Sequence, residues 1–378
     1  MLYLDYCATT PMSEEALTTY LQTAQRYYGN EQSLHDPGHE AKQLYEYCKQ
    51  ELADLINGEA DGIYFTSGGS DSNFRALYGL AHGYKRKGDQ IITSPLEHPS
   101  VYQSLEKLKA EGFTVKEVGL KKNGQVCLES LKRLISSRTI LVTICHASSE
   151  TGVIQPLEEI GRIVKEKNII FHSDAVQSFG KIPLDIQKYG LSSVSVSAHK
   201  LYGPKNTGFC YISPQSTWAA VTPGAVHQNG FSAGTLDIPG IASFTTASKS
   251  IHEQLIENTD KYQKMRRWLL EQLDKEIFSL LGDQINRLPH HLGLRAKGHE
   301  GQWIMLECSR NGIAVSSGSA CKSYSSSPPK SLLAMGHSPE EAHGLFRISF
   351  GKDTSYQHLE KTAEVLNSIV KTSRTPSV

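Results

Sequence analysis

The first 250 residues repeat one local order: a short apolar run, a turn of small residues, and an amphipathic helical stretch. The order appears at 62–84, 90–112, 139–168 and 169–183. Apolar runs that do not alternate with polar residues are typical of parallel strands covered on both faces, and intervening helices supply the crossovers. The sequence therefore predicts an α/β fold with a mostly parallel sheet. Ligands of such sheets gather at the carboxyl ends of the strands.

The pattern changes after about residue 250, where a long helical stretch over 251–282 precedes shorter segments. We expect short strands at "GQWIMLEC" and "FRISFG", then a final helix from about Tyr356. Cys308 follows the apolar "WIML" and is expected in the core. These features predict a large domain over 16–250 and a smaller α+β domain over 251–378. Residues 1–15 are expected to pack against the small domain.

Charge and cysteine content exclude several classes of function. Lys+Arg and Asp+Glu both number 39, so no net field would recruit nucleic acid or an anionic membrane. No apolar run has the length of a membrane span, and the N-terminus lacks the pattern of a signal peptide. The seven cysteines include no C-x-x-C pair, so we expect no metal site and no disulfide framework. A cytoplasmic protein is the expectation.

Polar side chains cluster where the predicted strands end. The stretch "SVSVSAHKLYGPKNTG" ends a strand at Ser197, His199 and Lys200, and "FHSDAVQSFG" places Asp174 after another. "TSGGSDSN" opens a helix with glycines, where backbone N–H groups attract an anion, and "PLEHPS" adds His98. An amine, a carboxylate, a phosphate cradle and a flat ring form the set that pyridoxal 5′-phosphate requires.

Motifs along nearly the whole chain resemble those of cysteine desulfurases of the NifS/IscS group. They are "YLDYCATTP", "YGNEQSLH", "FTSGGSDSN", "LEHPSV", "HASSETGVIQPL", "HSDAVQSFGKIP", "VSVSAHKLYGPKNTG", "SSGSACKS" and "FRISFG", in that order. The resemblance implies the pyridoxal phosphate-dependent transferase fold of type I. It also implies an enzyme that takes sulfur from L-cysteine.

The resemblance implies a set of roles around the cofactor. Lys200 would attach the cofactor covalently and later move the α-proton of the substrate, while His98 would stack on the ring and act in proton transfer. Asp174 would pair with the pyridinium nitrogen and Gln177 would bond the phenolic oxygen. The phosphate would be held by Gly69, Ser70, Ser197 and His199.

Three further positions carry implied roles in substrate binding and assembly. Arg347 would clamp the substrate carboxylate, a bidentate task suited to guanidinium. Ser149 stands where the family often has Asn, at a position that touches cofactor and substrate. Thr235 matches the threonine that reaches the phosphate of the neighbouring subunit, which implies a homodimer.

The assignment to desulfurases, among pyridoxal phosphate enzymes, depends on Cys321. Its thiolate would attack the sulfur of L-cysteine, which leaves a persulfide and releases L-alanine. The sulfur would pass to an acceptor protein, such as an iron–sulfur scaffold or a client. "EGQWIMLEC" resembles a subset associated with quinolinate synthase. A selenocysteine lyase, another enzyme of the same fold, and an inactive cofactor-binding scaffold stay open as alternatives.

Overall fold

A computed structural model describes residues 1–318 and 327–372 of the chain. Its strands are β1 (Leu2–Tyr3), β2 (Ile63–Thr66), β3 (Gln90–Thr93), β4 (Thr114–Glu117), β5 (Thr139–Thr143), β6 (Ile170–Asp174), β7 (Ser193–Ser197), β8 (Gly208–Ile212), β9 (Phe278–Leu280), β10 (His291–Ala296), β11 (Ile313–Ala314) and β12 (Leu345–Ser349).

The helices lie between these strands and after the last of them. They are α1 (Glu14–Arg26), α2 (Asp36–Asp54), α3 (Gly69–Tyr84), α4 (Pro99–Ala110), α5 (Leu128–Leu134), α6 (Leu157–Lys165), α7 (Ile186–Tyr189), α8 (Ile238–Glu253), α9 (Leu255–Gln272), α10 (Gly301–Arg310), α11 (Lys330–Ala334), α12 (Pro339–His343) and α13 (Tyr356–Thr372).

A large sheet confirms the predicted α/β class. Within the described residues it contains seven strands in the order β2-β8-β7-β6-β5-β3-β4. Neighbouring strands from β4 to β7 are parallel, whereas β8 is antiparallel to both β7 and β2. The loop between β7 and β8 holds a 3₁₀ turn (Ala198–Lys200) but no crossover helix, so the chain returns antiparallel. The carboxyl ends of β2, β3, β5, β6 and β7 consequently share one edge.

Helices cover both faces of this sheet, and the strands are therefore apolar on both sides. One face packs a large cluster that includes Phe171, Val194 and Val196, all fully buried. The opposite face packs a second cluster that includes Leu77, Ile91 and Leu141, on α3, β3 and β5. The burial of both faces explains the continuous apolar runs in the sequence.

A separate core forms around the small antiparallel sheet β12-β10-β9. It gathers apolar side chains from α9, α10, α13 and these strands, together with Leu4 from the N-terminal segment. Strand β1 pairs in parallel with β11, and Ser349 donates its backbone N–H to Leu4. These contacts support the expected packing of the N-terminal segment on the C-terminal part.

Local predictions for the C-terminal part differ in outcome. The strand predicted at "FRISFG" is present as β12, and Cys308 is buried as expected. The strand predicted at "GQWIMLEC" is wrong, because these residues lie in α10. Its apolar residues Trp303, Ile304 and Cys308 follow helical spacing and place one face against the second core. The proposed boundary at 250 falls inside α8, three residues before its end at Glu253.

None of the helices in the described ranges has the length and apolar content needed to cross a membrane.

Leu4 tests how much the N-terminal segment contributes to the second core. Leu4 is 1% exposed, whereas Leu17 on α1 is 47% exposed. We expect Leu4→Ala to lower the free energy of unfolding by about 2–5 kcal/mol, because it leaves a cavity. The matched control Leu17→Ala should change it by less than about 0.5 kcal/mol. Urea unfolding of both variants measures this, and equal effects would show that the segment does not contribute to the core.

Candidate active site

A cavity of about 230 Å³ opens at the edge where the parallel strands end. Asp174 ends β6, Ser197 ends β7, and Lys200 lies in the 3₁₀ turn that follows β7. Ten of the residues singled out from the sequence line this cavity: Gly69, Ser70, His98, Ser149, Asp174, Gln177, Ser197, His199, Lys200 and Arg347. Side chains far apart in sequence thus meet in one pocket.

Two predicted site residues are not in this set. Thr235 lines a different, more open cavity beside Thr207, Ser232 and Asp237. A role for Thr235 at this protomer's own pocket is therefore unsupported, while its predicted role at a neighbouring subunit stays a prediction. Cys321 lies outside the described residues.

The Lys200 amine is held by the N-terminal segment. Its Nζ donates hydrogen bonds to the backbone carbonyls of Cys7 at 2.6 Å and Ala8 at 2.7 Å. Gln177 Nε2 donates to the same Cys7 carbonyl at 3.1 Å. A further hydrogen bond holds this segment in place: Thr10 donates its backbone N–H to the His199 carbonyl at 2.9 Å. The amine therefore points into the cavity beside Gln177.

Asp174 is 6% exposed, and its two oxygens have strong donors. Oδ2 accepts from Asn73 Nδ2 at 2.8 Å, and Oδ1 accepts from the backbone N–H of Val176 at 2.9 Å. A buried carboxylate needs such donors to offset its lost hydration. Asn73 was missed from the sequence, although it lies four residues after Gly69, one turn along α3 and on the same face.

His98 is the N-cap of α4 and its ring is neutral in this environment. Its Nδ1 accepts the backbone N–H of Ser100 at 3.2 Å, which leaves the ring proton on Nε2. Burial lowers the pKa of His98, and Lys200 adds to this while Asp174 opposes it. The residue can thus present a neutral N–H to the cavity at neutral pH.

The start of α3 forms a cradle that only glycine permits. Gly68 has φ = +125°, a conformation that side-chain-bearing residues rarely adopt. A Cβ on Gly69 would lie 2.6 Å from Val176 Cγ2, so the backbone comes close to the loop after β6. Ser70, Ser197 and His199 line the same cavity. Free N–H groups at a helix start, next to hydroxyls, match the needs of a phosphate.

His199 completes this polar end of the cavity as a neutral imidazole. Burial lowers the pKa of His199 to about 4, with further lowering by Lys200 and Lys205. Its Nδ1 lies 3.1 Å from Thr9 Oγ1. A neutral ring that is anchored on one nitrogen leaves the other available to the cavity.

Arg347, on β12, lines the same cavity and is 2% exposed. Its Nη1 donates to the backbone carbonyl of Ser149 at 2.8 Å and its Nη2 pairs with Asp5 Oδ1 at 2.9 Å. Among the described residues its Nε has no hydrogen-bond partner. The contact to Ser149 is through the backbone, so the Ser149 hydroxyl is not needed to position the guanidinium. Because Arg347 lines the cavity, its guanidinium suits a small carboxylate there.

The residues that line the cavity fit pyridoxal phosphate. Lys200, Asp174, the anion cradle at Gly69 and Ser70, and the Arg347 guanidinium all line it. The cradle in particular has no bulk that a phosphate would displace, because Gly68 and Gly69 carry no side chain. The donor and acceptor set is therefore that of the cofactor named from the sequence.

Glu97 is a second buried carboxyl beside the cavity and was not singled out from the sequence. Its Oε1 accepts from Ser94 Oγ at 2.6 Å and from the backbone N–H of Cys145 at 2.9 Å. Its Oε2 has no partner among the described residues. The pKa of Glu97 is raised to about 8, chiefly by burial and in smaller part by Asp174, while the hydrogen bonds from Ser94 and Cys145 oppose the rise. Glu97 is therefore protonated at neutral pH, which accounts for the unpaired oxygen.

Glu97 makes stability depend on pH in a defined direction. Because its folded pKa exceeds the unfolded value, its stabilising contribution is complete below about pH 4.5 and is lost as pH rises through about 8. Glu97→Gln keeps the Oε1 acceptor and cannot ionise. We expect its free energy of unfolding to rise relative to wild type between pH 5.5 and 8, by up to about 1.4 kcal/mol per pH unit.

Urea unfolding at several pH values, with equal cofactor loading, measures this difference. The matched control Glu106→Gln, whose parent side chain is 68% exposed, should give a difference that does not change with pH. A flat difference for Glu97→Gln as well would mean that Glu97 is ionised in the folded protein.

Comparison with known proteins gives consistent relatives over nearly the full chain. The aminotransferase class-V family model matches residues 2–361. The NifS protein of Bacillus subtilis is 40% identical over 365 residues, which cover 96% of this chain and 92% of the relative. Cysteine desulfurase IscS of Clostridium botulinum (strain Kyoto) is 35% identical and covers 99% of this chain and 95% of the relative.

Solved structures agree with these relatives. A structure titled NifS-like protein has a TM-score of 0.92 and 30% identity, over 98% of this chain and 99% of its own. Another, titled SspA in complex with cysteine, has a TM-score of 0.81 and 28% identity, over 93% of this chain and 99% of its own. With the family model matched over almost its whole length, the chain belongs to the aminotransferase class-V family.

Proposed function

We propose that this protein is a cysteine desulfurase that depends on pyridoxal 5′-phosphate and converts L-cysteine to L-alanine. The observation that carries the proposal is the cavity itself, where Lys200, Asp174, His98 and Arg347 meet at the strand ends. Enzymes of the class-V aminotransferase family use pyridoxal phosphate, and relatives at 35% identity are named cysteine desulfurases. The neighbour titled as a complex with cysteine supports the same substrate.

Several residues that line the cavity would hold the cofactor. Lys200 would bond it covalently, and Asp174, fixed by Asn73 and Val176, would pair with the pyridinium nitrogen. Gln177 would bond the phenolic oxygen. The phosphate would be held by Gly69, Ser70, Ser197 and His199. The bound cofactor supplies an electron sink, which lets the α-proton of the substrate be removed.

The protein's own side chains position the substrate and move its protons. Arg347 binds the carboxylate of L-cysteine, and its fixed contacts to Ser149 and Asp5 keep the guanidinium plane in one orientation. The Lys200 amine would take the α-proton of the substrate. His98 is neutral with its proton on Nε2, so it can donate that proton at the ring face.

The sulfur step is assigned to Cys321. Its thiolate attacks the sulfur of the bound substrate, a new S–S bond forms and the C–S bond of the substrate breaks. The sulfur remains on Cys321 as a persulfide, and the carbon skeleton takes a proton and leaves as L-alanine. Three of the six described cysteines are clearly less suited: Cys48, Cys210 and Cys308 are buried, and burial raises the pKa of each thiol.

The proposal also includes a homodimeric assembly and a protein that accepts the sulfur. Thr235 lies outside this protomer's cavity, which is compatible with a homodimer in which it reaches the phosphate of the other subunit. The sulfur acceptor is a protein, either an iron–sulfur scaffold or a client such as quinolinate synthase. The six cysteines within the described residues are all free, which suits a reducing compartment and a cytoplasmic enzyme.

Product analysis of wild type and a Cys321→Ser variant tests the proposal. With L-cysteine and a reductant, the wild-type holoenzyme should release alanine and sulfide in equal amounts. Cys321→Ser should retain the cofactor spectrum and its change on adding L-cysteine, but should lose sulfide release and the persulfide, because a hydroxyl is a far weaker nucleophile toward sulfur. The matched control Cys127→Ser, at a partly exposed thiol outside the cavity, should keep both products.

Other outcomes would point to the alternatives. Activity with selenocysteine and none with L-cysteine would identify a selenocysteine lyase, and amino-group transfer without sulfide would identify an aminotransferase. Cofactor binding without turnover of either substrate would leave an inactive scaffold. A persulfide on another cysteine would show that the nucleophile is misassigned.

A further inference from the structure

A single buried amide connects two different sides of the active site. Asn73 lies on α3, is 1% exposed and lines the cofactor cavity. Its Nδ2 donates to Asp174 Oδ2 at 2.8 Å and to Ser100 Oγ at 3.1 Å. The two N–H bonds of one amide are therefore divided between β6, which ends at Asp174, and α4, which contains Ser100.

The orientation of the Asn73 amide follows from these contacts. If its oxygen and nitrogen were exchanged, the amide oxygen would face the Asp174 carboxylate, and two acceptors would lie 2.8 Å apart. The amide oxygen therefore lies on the other side, where it is 3.3 Å from His172 Nε2. Because an amide oxygen can only accept, Nε2 carries the proton of the His172 ring.

His172 is held as the neutral ring that this bond requires. Its side chain is fully buried in β6, and burial lowers the pKa of His172 to about 3. With the proton on Nε2, Nδ1 accepts from the hydroxyl of Ser193 at 3.0 Å, which is the residue opposite on β7. Both ring nitrogens are thus in use, and the ring is fixed as the donor to the Asn73 oxygen.

The second branch of this network leads from Asn73 to His98. Ser100 Oγ lies 2.8 Å from His98 Nδ1. Since this oxygen already accepts from Asn73, its own proton is available to Nδ1, which also accepts the Ser100 backbone N–H at 3.2 Å. Two donors on Nδ1 favour the neutral ring with its proton on Nε2.

Four hydrogen bonds in succession run in one direction, because each residue donates to the next in the order Ser193, His172, Asn73, Ser100 and His98. The first four of these residues are at most 7% exposed, so bulk water has little access to replace a missing partner. Reversing one bond would set two donors or two acceptors against each other elsewhere in the chain of bonds. A buried network of this kind holds one arrangement of protons.

We propose that Asn73 is a positioning residue for two groups of the active site at once. Its amide holds the Asp174 carboxylate in the orientation that meets the cofactor ring, and through Ser100 it keeps a donor directed at His98 Nδ1. The inference rests on the roles given to Asp174 and His98 under the proposed function. Asn73 acts through these side chains and transfers no proton itself.

Nitrogen NMR of the holoenzyme loaded with [15N]pyridoxal 5′-phosphate tests the branch to Asp174. The ring-nitrogen signal distinguishes the protonated pyridinium from the neutral pyridine. In Asn73→Leu, Asp174 loses the donor on Oδ2 and retains the Val176 N–H on Oδ1. We expect the signal to move towards the neutral form and the apparent Kd of the cofactor to rise at least about tenfold, because a hydrogen bond to a charged group is lost.

A wild-type ring-nitrogen signal and cofactor Kd in folded Asn73→Leu would overturn the proposal. If the leucine variant does not fold, Asn73→Ala removes the same donors with less bulk and carries the same expectation.

Titration of His98 tests the other branch, with nitrogen NMR of holoenzyme that contains 15N-labelled histidine. The His98 signal is the one absent from His98→Gln. Ser100→Ala removes the hydroxyl donor to Nδ1, and a hydrogen bond donated to the neutral ring opposes its protonation. We expect the pKa of His98 to rise in this variant and in Asn73→Leu, while Asp174 and Lys200 still act on the ring. An unchanged pKa of His98 in both would overturn the proposal.

Ser104→Ala is the matched control in the same helix. Ser104 is 3% exposed, and its hydroxyl donates to the Ser100 backbone carbonyl at 2.7 Å, outside the network. The variant should keep the wild-type cofactor signal, cofactor Kd and His98 titration. Equal changes in Ser104→Ala and Ser100→Ala would assign the effects to the packing of α4 and overturn the proposal.

None of these measurements uses L-cysteine or Cys321. Their outcome is therefore independent of whether the protein is a desulfurase. Absence of desulfuration in a wild-type protein that shows the expected cofactor and His98 signals would contradict the proposed function and leave the role of Asn73 supported.

Discussion

The hydrogen bonds between the N-terminal segment and Lys200 are the interaction on which the arrangement of the site depends. The amine bonds two successive backbone carbonyls, at Cys7 and Ala8, across 193 and 192 residues of sequence. The same segment enters the second core through Leu4 and bonds Arg347 through Asp5. One short stretch of chain therefore contacts both the amine and the guanidinium that line the cavity.

Burial then determines which groups around the cavity carry charge. It keeps His98 and His199 neutral and Glu97 protonated, while Asp174 is supplied with donors from Asn73 and Val176. Two carboxyl groups near one another thus have different environments: one has an oxygen without a partner, and the other has donors on both oxygens. Different environments can therefore give two carboxyl groups separate roles as acid and base, although both belong to ordinary acidic residues.

Much of the fold and site could be predicted because both follow from local pattern. Continuous apolar runs between helices predict the parallel strands, and the polar residues that follow them must lie at one edge of the sheet. The cavity gathers Lys200, Asp174, Gln177 and His98 for that reason. Their individual chemical roles were implied by family resemblance and remain proposals.

The remaining features depend on tertiary contacts, which a local sequence pattern does not reveal. The stretch "GQWIMLEC" is expected to form a short strand, yet it packs as α10 against the second core. Cys145 lies in an apolar run, but it follows the end of β5 and so lines the cavity. Asn73 ends the quoted stretch "FTSGGSDSN", but its importance comes from a long-range bond to Asp174 that local pattern does not show.

The most direct test of this account asks which lysine carries the cofactor. The holoenzyme would be reduced with borohydride, digested, and mapped by mass spectrometry. We predict the cofactor's mass on the peptide with Lys200, and in Lys200→Ala no covalent attachment at any position. Attachment to Lys181 or Lys205, or retention of a covalent cofactor by Lys200→Ala, would contradict the site described here.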